Sequence, residues 1–392
     1  MSSHSRSPVL IDLFCGAGGL SEGLRQAGFI PAVGVDFDRN ALSTYAQNHP
    51  ASKPVLSDIR TVTGEQLMEL AGTPDIDLVA GGPSCQGFST HGKRVEDDPR
   101  NYLFKEFVRL VGEIRPKYFL MENVKGLLTY SKGHFQNLIE TSFSAIGYRV
   151  ASTTICAAHY GVPQMRHRIV FIGTRLEDGE LSFPMPSHGA GVDGLLPLVT
   201  VSEAIGDLPL MGNAYKQETW SYASKPKSDF QRKARQKSAK TVSLHQARSL
   251  SVLAAGIAKF VGQGEGLRSV PFEHLPDRFK KMRRISNGEL RRDCTTLYHR
   301  LHPHRPSYTI TCNYSNIASG PFLHPREDRA ISHREAARLM SFPDHFHFYG
   351  ACYERQIGNA VPPLLASAIG QHIITLINRR SESRRAKLKI VA

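Results

Sequence analysis

The sequence contains no Cys-x-x-Cys pair: its six cysteines, at positions 15, 85, 156, 294, 312 and 352, are scattered over 392 residues. That spacing supports neither a zinc site nor a disulfide framework, so reduced thiols and no metal are expected. Also lacking is an uncharged apolar run of membrane-spanning length, and Met1 to Pro8 has no apolar signal core. A membrane partner is therefore not expected, and a cytoplasmic enzyme is. No internal repeat is present. Acidic residues are in short supply, 35 against 49 Lys and Arg, for a net charge of +14. Such an excess favours a polyanionic partner. With 41% hydrophobic and 21% charged residues the chain is an ordinary globular protein long enough for two domains.

The positive charge is concentrated. Between Tyr215 and Arg300 there are 19 Lys and Arg against 7 Asp and Glu, a net of +12. The runs Arg232-Lys233-Ala-Arg235-Gln-Lys237, Arg278-Phe-Lys280-Lys281-Met-Arg283-Arg284 and Arg291-Arg292 are interleaved with Trp220, Tyr222, Phe230, Phe260, Phe272 and Phe279. One such run would read as a solvated face; three in one stretch read as phosphate contacts to nucleic acid. A second cluster, Arg379 to Lys389, follows the last apolar helix and reads as a frayed tail.

Reactive residues recur where apolar runs end. Val9 to Phe14 reads as a buried strand, and Cys15-Gly16-Ala17-Gly18-Gly19 is a glycine turn opening a helix, a place where backbone can approach a ligand. The next strand, Ile30 to Val35, ends at Asp36, twenty residues after Gly16. That spacing brings an acid to a ribose hydroxyl in nucleoside-binding folds, so a nucleoside-bearing cofactor is indicated. A third short strand, Val55 to Ile59, carries Asp58, which reads equally as a turn cap. Ile76 to Ala80 leads into Gly81-Gly82-Pro83-Ser84-Cys85-Gln86-Gly87-Phe88-Ser89. A cysteine alone is more often a small core residue, but this one follows a strand in a Gly/Pro loop, where a thiolate can act as nucleophile. His91 to Arg100 reads as a mobile loop over the site. Lys117 to Met121 is another strand, closed by Glu122-Asn123-Val124, and Glu122 reads as a proton-handling acid with a surface salt bridge as the rival. In Gln164-Met-Arg166-His-Arg168, Arg166 and Arg168 should share one strand face, either to hold an anion or in a structural network. The chain ends with Arg355-Gln-Ile-Gly358-Asn359-Ala-Val361-Pro362-Pro363 and a helix from Leu364 to Ile377.

Taken together, five ordered motifs spanning almost the whole chain resemble the DNA (cytosine-5) methyltransferases of restriction-modification systems. They are Asp12 to Gly19, Gly82 to Ser89, Glu122-Asn123-Val124, Gln164 to Arg168, and Arg355 to Pro363. Arg305-Pro306-Ser-Tyr308-Thr309-Ile-Thr311 and Arg334-Glu335-Ala-Ala-Arg338 continue the likeness. The resemblance implies an α/β fold: a Rossmann-like S-adenosylmethionine-dependent methyltransferase sheet with a smaller target-recognition domain. It implies a catalytic and cofactor-binding domain over 1–180, a basic recognition domain over 181–349, and a return to the catalytic domain over 350–392. S-adenosylmethionine would be surrounded by Phe14, Gly16, Gly18, Asp36, Asp58, Pro83, Asn359 and Val361. Cys85 would add to C6 of a flipped cytosine, Glu122 would hold N3 and the exocyclic amine, and Arg168 with Arg166 would position the base and Glu122. Double-stranded DNA is the implied partner of a monomer working at the nucleoid, with a cognate restriction endonuclease acting on the same site. Two rivals are a tRNA cytosine-5 methyltransferase and a catalytically silent DNA-binding homologue. The first normally carries Cys-Phe-Thr where this chain has Cys312-Asn313-Tyr314, and intact Cys85, Glu122 and Arg168 argue against the second.

Overall fold

The computed structural model describes residues 6–83, 103–129, 134–212, 214–235, 238–282 and 296–391. Seven strands form one sheet: β1 (Val9–Leu13), β2 (Ile30–Asp36), β3 (Lys53–Leu56), β4 (Leu78–Gly81), β5 (Tyr118–Val124), β6 (Arg149–Cys156) and β7 (His167–Thr174), in the order β3-β2-β1-β4-β5-β7-β6. The first five pair in parallel, and β7 runs antiparallel to both β5 and β6. Helices α1 (Gly19–Ala27), α2 (Arg39–Asn48), α3 (Gly64–Ala71), α4 (Leu103–Ile114), α5 (Gly126–Thr129) and α6 (His134–Ala145) come from the same part of the chain. Every residue of β1 and β4 is buried, as a parallel strand covered on both faces requires. Alternate side chains feed different cores: Ile11 and Leu13 join Phe107, Phe119 and Phe143 on one face, while Leu10 joins Leu24, Leu78 and Leu120 on the other.

After the sheet the chain builds a second region from α7 (Val201–Ile205), α8 (Asp229–Ala234), α9 (Val252–Ala258), α10 (Asp277–Met282), α11 (His333–Leu339) and α12 (Tyr353–Asn359), with a ribbon of β8 (Trp220–Ser221) and β9 (Thr241–Val242). Its main core draws Val201, Leu244, Ile310, Met340, Phe342 and Ile357 together and reaches Ala17 in the glycine turn after β1. The last helix, α13 (Pro363–Val391), returns to the sheet, and its Leu365, Ala366, Ile369 and Ile373 complete the core that holds Leu10 and Leu24. Glycine makes that closure close: a Cβ at Gly23 of α1 would stand 2.1 Å from the Pro363 carbonyl oxygen.

Two expectations shift and one strand is new. The third strand spans Lys53–Leu56, and Asp58 heads a 3₁₀ turn (Ile59–Thr61) instead of lying in the strand. Strand β6 had no expectation at all. The final helix does not stop at Ile377 before a frayed tail but continues through the basic residues to Val391.

Strand order reverses direction between β1 and β4. In an open α/β sheet the crevice outside the carboxyl ends of two such strands is where ligands bind. The loops leaving β1 and β4 are the two glycine-rich motifs.

Candidate active site

The loop leaving β1 is built for close approach. Phe14, Gly16 and Gly18 all have positive φ, 62°, 53° and 92°. A Cβ at Gly18 would stand 2.6 Å from His49 Nε2, and one at Gly19 would stand 2.6 Å from the Val361 carbonyl oxygen. Only glycine fits there, so the turn lies flat between α2 and the segment around Val361. Helix α1 starts from Gly18 with no side-chain cap, leaving its first N–H groups to be satisfied from the crevice side.

Asp36, at the end of β2, braces this loop: Oδ2 accepts from the Gly16 N–H (2.8 Å) and Oδ1 from the Asp38 N–H (2.8 Å). Burial raises its pKa above the ordinary carboxylate value while those N–H groups pull it down. The next residue, Phe37, is 76% exposed, a large aromatic standing at the strand end beside the acid. Sequence reading passed over Phe37; an apolar residue just beyond an acid-terminated buried strand was the available signal. Asp58 sits past β3 on the same rim, since the Ser57 N–H donates to the Asp36 carbonyl. Its carboxylate caps the 3₁₀ turn and pairs with Arg60, and that hydrogen-bonded partner lowers its pKa to about 2. The capping alternative for Asp58 is thus realised in the structure.

Beneath the loop lies Asp12, wholly buried in β1. Ser21 Oγ donates to Oδ2 at 2.6 Å, while Oδ1 has no hydrogen bond among the described residues. Burial pushes its pKa up to about 7. Nothing in the sequence marks this acid apart from the motif around it.

On the other side of the crevice, Gly81-Gly82-Pro83 threads between β1 and β5. A Cβ at Gly81 would stand 2.1 Å from the Leu13 carbonyl oxygen, and one at Gly82 would stand 3.4 Å from Glu122 Oε2. The Pro83 carbonyl accepts from Asn123 Nδ2 at 3.1 Å, which ties the start of this loop to the residue beside Glu122. Cys85 and the rest of the loop through Arg100 lie outside the described residues, as do Lys237, Arg283, Arg284, Arg291, Arg292 and Cys294.

Glu122 projects from β5 and Arg168 from β7, whose antiparallel register sets Val124 opposite Arg168. Arg168 Nε lies 2.8 Å from Glu122 Oε1, with both side chains nearly buried. The contact is close in distance, yet the N–H is not aligned on the oxygen, and Oε1 has no hydrogen bond among the described residues. Glu122 and Arg168 thus form a nearly buried ion pair on the crevice rim, beside Gly82.

Arg166 stands one residue before β7, is 2% exposed, feels the charges of both Arg168 and Glu122, and donates to the carbonyls of Ile310, Gly358 and Ala360, each at 3.0 Å. Beside it, Gln164 donates to the Leu339 carbonyl and accepts from the Ile310 N–H, and the Met165 N–H donates to the Ser307 carbonyl. The 164–166 stretch therefore fastens the second region and the Gly358–Ala360 turn to the start of β7. Asn359 ends α12 in an exposed position, and Val361 presents its carbonyl to Gly19.

The basic segment is also more internally committed than its sequence suggests. Arg235 is half-buried, pairs with Asp207 (2.6 Å) and lies 3.5 Å over the Tyr222 ring, Arg232 pairs with Asp229, and Arg300 is buried among carbonyls. Of the interleaved aromatics, Phe260 and Phe272 stand exposed, whereas Trp220, Tyr222 and Phe230 pack on the second core and Phe279 is buried.

A family model described as C-5 cytosine-specific DNA methylase matches residues 9–375. The chain is 35% identical to the type II methyltransferase M.AgeI of Thalassovita gelatinovora, covering 94% of this chain and 99% of that one. It is 36% identical to M1.HphI of Haemophilus parahaemolyticus, covering 95% and 88%. Among solved structures, a candidate DNA modification methyltransferase encoded within an E. coli prophage superposes with a TM-score of 0.73 at 29% identity over 95% of this chain and 100% of that one. The S. pombe Dnmt2 methyltransferase, at 16% identity and TM-score 0.56 over 95% and 100%, shares the fold. A glycine-lined crevice at the sheet's switch point, a Glu–Arg pair on its rim and a family match across nearly the whole chain converge: this protein belongs to the C-5 cytosine-specific DNA methylases and is a DNA (cytosine-5) methyltransferase of the type II restriction-modification kind.

Proposed function

We propose that the enzyme methylates C5 of a cytosine flipped out of a specific double-stranded DNA sequence, through a covalent bond between Cys85 and C6. The observation that carries this reading is the Glu122–Arg168 pair beside Gly82, three residues before the thiol: a nearly buried carboxylate oriented by a guanidinium next to the nucleophile's loop. Carbon C5 of cytosine is a weak nucleophile until a group adds to C6. The Cys85 thiolate forms the S–C6 bond, and the ring π electrons shift toward C5 and N3. Glu122, as the acid, donates to N3 and receives from the exocyclic amine, which stabilises the charge shift. Arg168 fixes the Glu122 carboxylate and holds it near the base. Loss of the C5 proton then returns the electron pair and expels Cys85 as thiolate. Because C5 and C6 are stacked in a duplex, the base must leave the helix to reach the thiol.

The crevice fits S-adenosylmethionine. The Gly16–Gly19 turn brings bare backbone to the crevice, with no room for a Cβ at Gly18 or Gly19, Phe37 offers an exposed ring for an adenine, and Asp36 and Asp58 stand at adjacent strand ends for hydroxyl or amino groups. When bound, that cofactor supplies an electrophilic methyl group. Phe14, Pro83, Asn359 and Val361 line or support the same crevice. The segment 181–349 is assigned to target recognition, with its exposed lysines and arginines contacting phosphate and other residues reading bases.

The test is methyl transfer to duplex DNA followed by base analysis. The wild-type chain should yield 5-methylcytosine in DNA and not in tRNA. Cys85→Ser should bind S-adenosylmethionine normally and produce none. Retained turnover in Cys85→Ser, or methylation confined to tRNA, would overturn the reading.

A further inference from the structure

We infer that Gln356 is a positioning residue for the cofactor: through Thr44 it ties α12 to α2, and so holds the wall that carries Phe37 and Asp38 in place against the Gly16–Gly19 turn. This rests on the reading above that the crevice takes S-adenosylmethionine.

That wall takes its position from α2. Phe37 is 76% exposed between β2 and α2, so the place of its ring is inherited from the elements on either side. On the strand side Asp36 accepts from the Asp38 N–H, and on the helix side the Asp38 carboxylate accepts from the N–H groups of Asn40 and Ala41, at 2.9 and 3.3 Å. The ring therefore goes where the first turn of α2 goes. Asn40, Thr44 and Asn48 lie at i, i+4 and i+8, one stripe along α2, and all three bond residues 299 to 312 positions further on. Asn40 Oδ1 accepts from the Ala351 N–H at 3.1 Å, and Thr44 Oγ1 accepts from the Tyr349 N–H at 2.8 Å. Asn48 exchanges two bonds with the backbone of His347, at 2.7 and 3.1 Å. Gly350 lets the two elements come this close: its φ is 74°, and a Cβ there would stand 2.3 Å from Asn40 Oδ1.

Gln356 locks the centre of this stripe. Its Oε1 accepts from Thr44 Oγ1 at 2.6 Å, and its Nε2 donates to the Tyr349 and Ala351 carbonyls, each at 2.9 Å. Thr44 is wholly buried and Gln356 nearly so, which shuts the contact off from water, where a hydrogen bond is stronger and a deserted partner costs more. Such bonds are directional and fix one register, whereas an apolar contact would let the two helices slide. From Gln356 the chain runs two residues to Gly358, whose carbonyl accepts from Arg166, and on to Val361, whose carbonyl faces Gly19. The 349–361 stretch thus spans from the helix behind Phe37 to the glycine turn, fastened at both ends. Gln356 holds the end on which the placement of Phe37 and Asp38 depends.

The test compares wild type, Gln356→Met, Thr44→Val and Thr44→Ser by calorimetry of S-adenosylmethionine binding, a thermal melt and steady-state methyl transfer to duplex DNA. Gln356→Met keeps the length and loses the amide, and Thr44→Val keeps the shape and loses the hydroxyl. Each should raise both Kd and KM for S-adenosylmethionine about 10-fold, with kcat at saturating cofactor and KM for DNA within about 2-fold of wild type. Thr44→Ser restores the hydroxyl and should bring cofactor affinity back to within about 3-fold of wild type. If Gln356→Met does not fold, the near-isosteric Thr44→Val decides alone. Wild-type cofactor affinity in the folded variants, whatever their melting temperature, would make the tie purely structural and overturn the inference. So would a fall in kcat with KM for the cofactor unmoved, or no recovery in Thr44→Ser. A wild-type chain that binds no S-adenosylmethionine would instead bring down the reading on which the inference rests.

Discussion

Arg338 in the second region and Arg168 at the sheet edge are both arginines held against carboxylates, and they differ in how fully they are satisfied. Arg338 is completely buried: it reaches both oxygens of Asp344 at 2.7 and 2.6 Å, Asp207 Oδ1 at 2.9 Å and the Ala204 carbonyl at 2.7 Å. Arg329 grips Glu335 through two nitrogens in the same way, each at 2.7 Å. In the sheet, Arg168 approaches one oxygen of Glu122 without an aligned hydrogen bond. Both buried carboxylate oxygens that lack a hydrogen bond among the described residues, Asp12 Oδ1 and Glu122 Oε1, belong to the sheet and stand next to its crevice. Saturated pairs hold the second region in one shape; on the proposed reading, the more sparsely bonded acids of the sheet are the ones that serve substrate and cofactor.

Substitution can break that contrast. Glu122→Gln should leave the melting temperature close to wild type while lowering kcat by about 10²- to 10⁴-fold, the usual weight of a positioned acid or base. Steady-state methyl transfer alongside a thermal melt measures both; a large stability loss with normal kcat would make Glu122 structural. Arg338→Met should do the reverse, costing about 3–5 kcal/mol of stability because Asp207 and Asp344 are left buried without their cation. Urea unfolding would show it, and an unchanged midpoint would mean that the saturated network contributes little.

A smaller effect depends on pH. Asp12 is pushed up to about 7 from an ordinary 3.8, so the folded chain holds a proton that the unfolded chain releases near pH 4. The stability this contributes is fully present below about pH 4 and is lost as pH rises through 7. Asp12→Asn should therefore be more stable than wild type at pH 8, by up to on the order of 4 kcal/mol, with the difference vanishing toward pH 4. Parallel stability curves for the two proteins across pH 4–8 would contradict it. Smallest of the set, Asp36→Ala should raise the S-adenosylmethionine dissociation constant by about 10-fold, through loss of a charged hydrogen bond and of the brace on Gly16. Calorimetry giving wild-type affinity would move the cofactor away from β2.

Sequence reading went furthest where the information is local. Buried parallel strands announce themselves as apolar runs, and the glycines at 16 and 18 mark a turn whose positive φ is a local property of the chain. It failed where the deciding partner is distant. The carbonyl partners of Arg166, 144 to 194 residues further on, could not be read from its spacing to Arg168. Arg235 and Arg300 count as free charge in composition and are neutralised or buried by folding. Strand β6 escaped because most of its residues are partly exposed, with serine and threonine in place of an apolar run, and its pairing with β7 is fixed by tertiary contact. Asp58 was undecidable for a related reason: a strand-end acid becomes a cap, a pair or a ligand group according to what the next strand brings beside it.

The account's central claim is that Cys85 attacks C6 of a cytosine beside Glu122 and Arg168, and the most direct measurement is covalent trapping on duplex DNA whose target cytosine carries fluorine at C5. Fluorine cannot leave as the C5 proton does, so after methyl transfer the thiol cannot be expelled. With S-adenosylmethionine present, the wild-type protein should form a denaturation-resistant complex with that duplex, and Cys85→Ser should form none. A complex that persists in Cys85→Ser, or none in an active wild-type enzyme, would contradict the account.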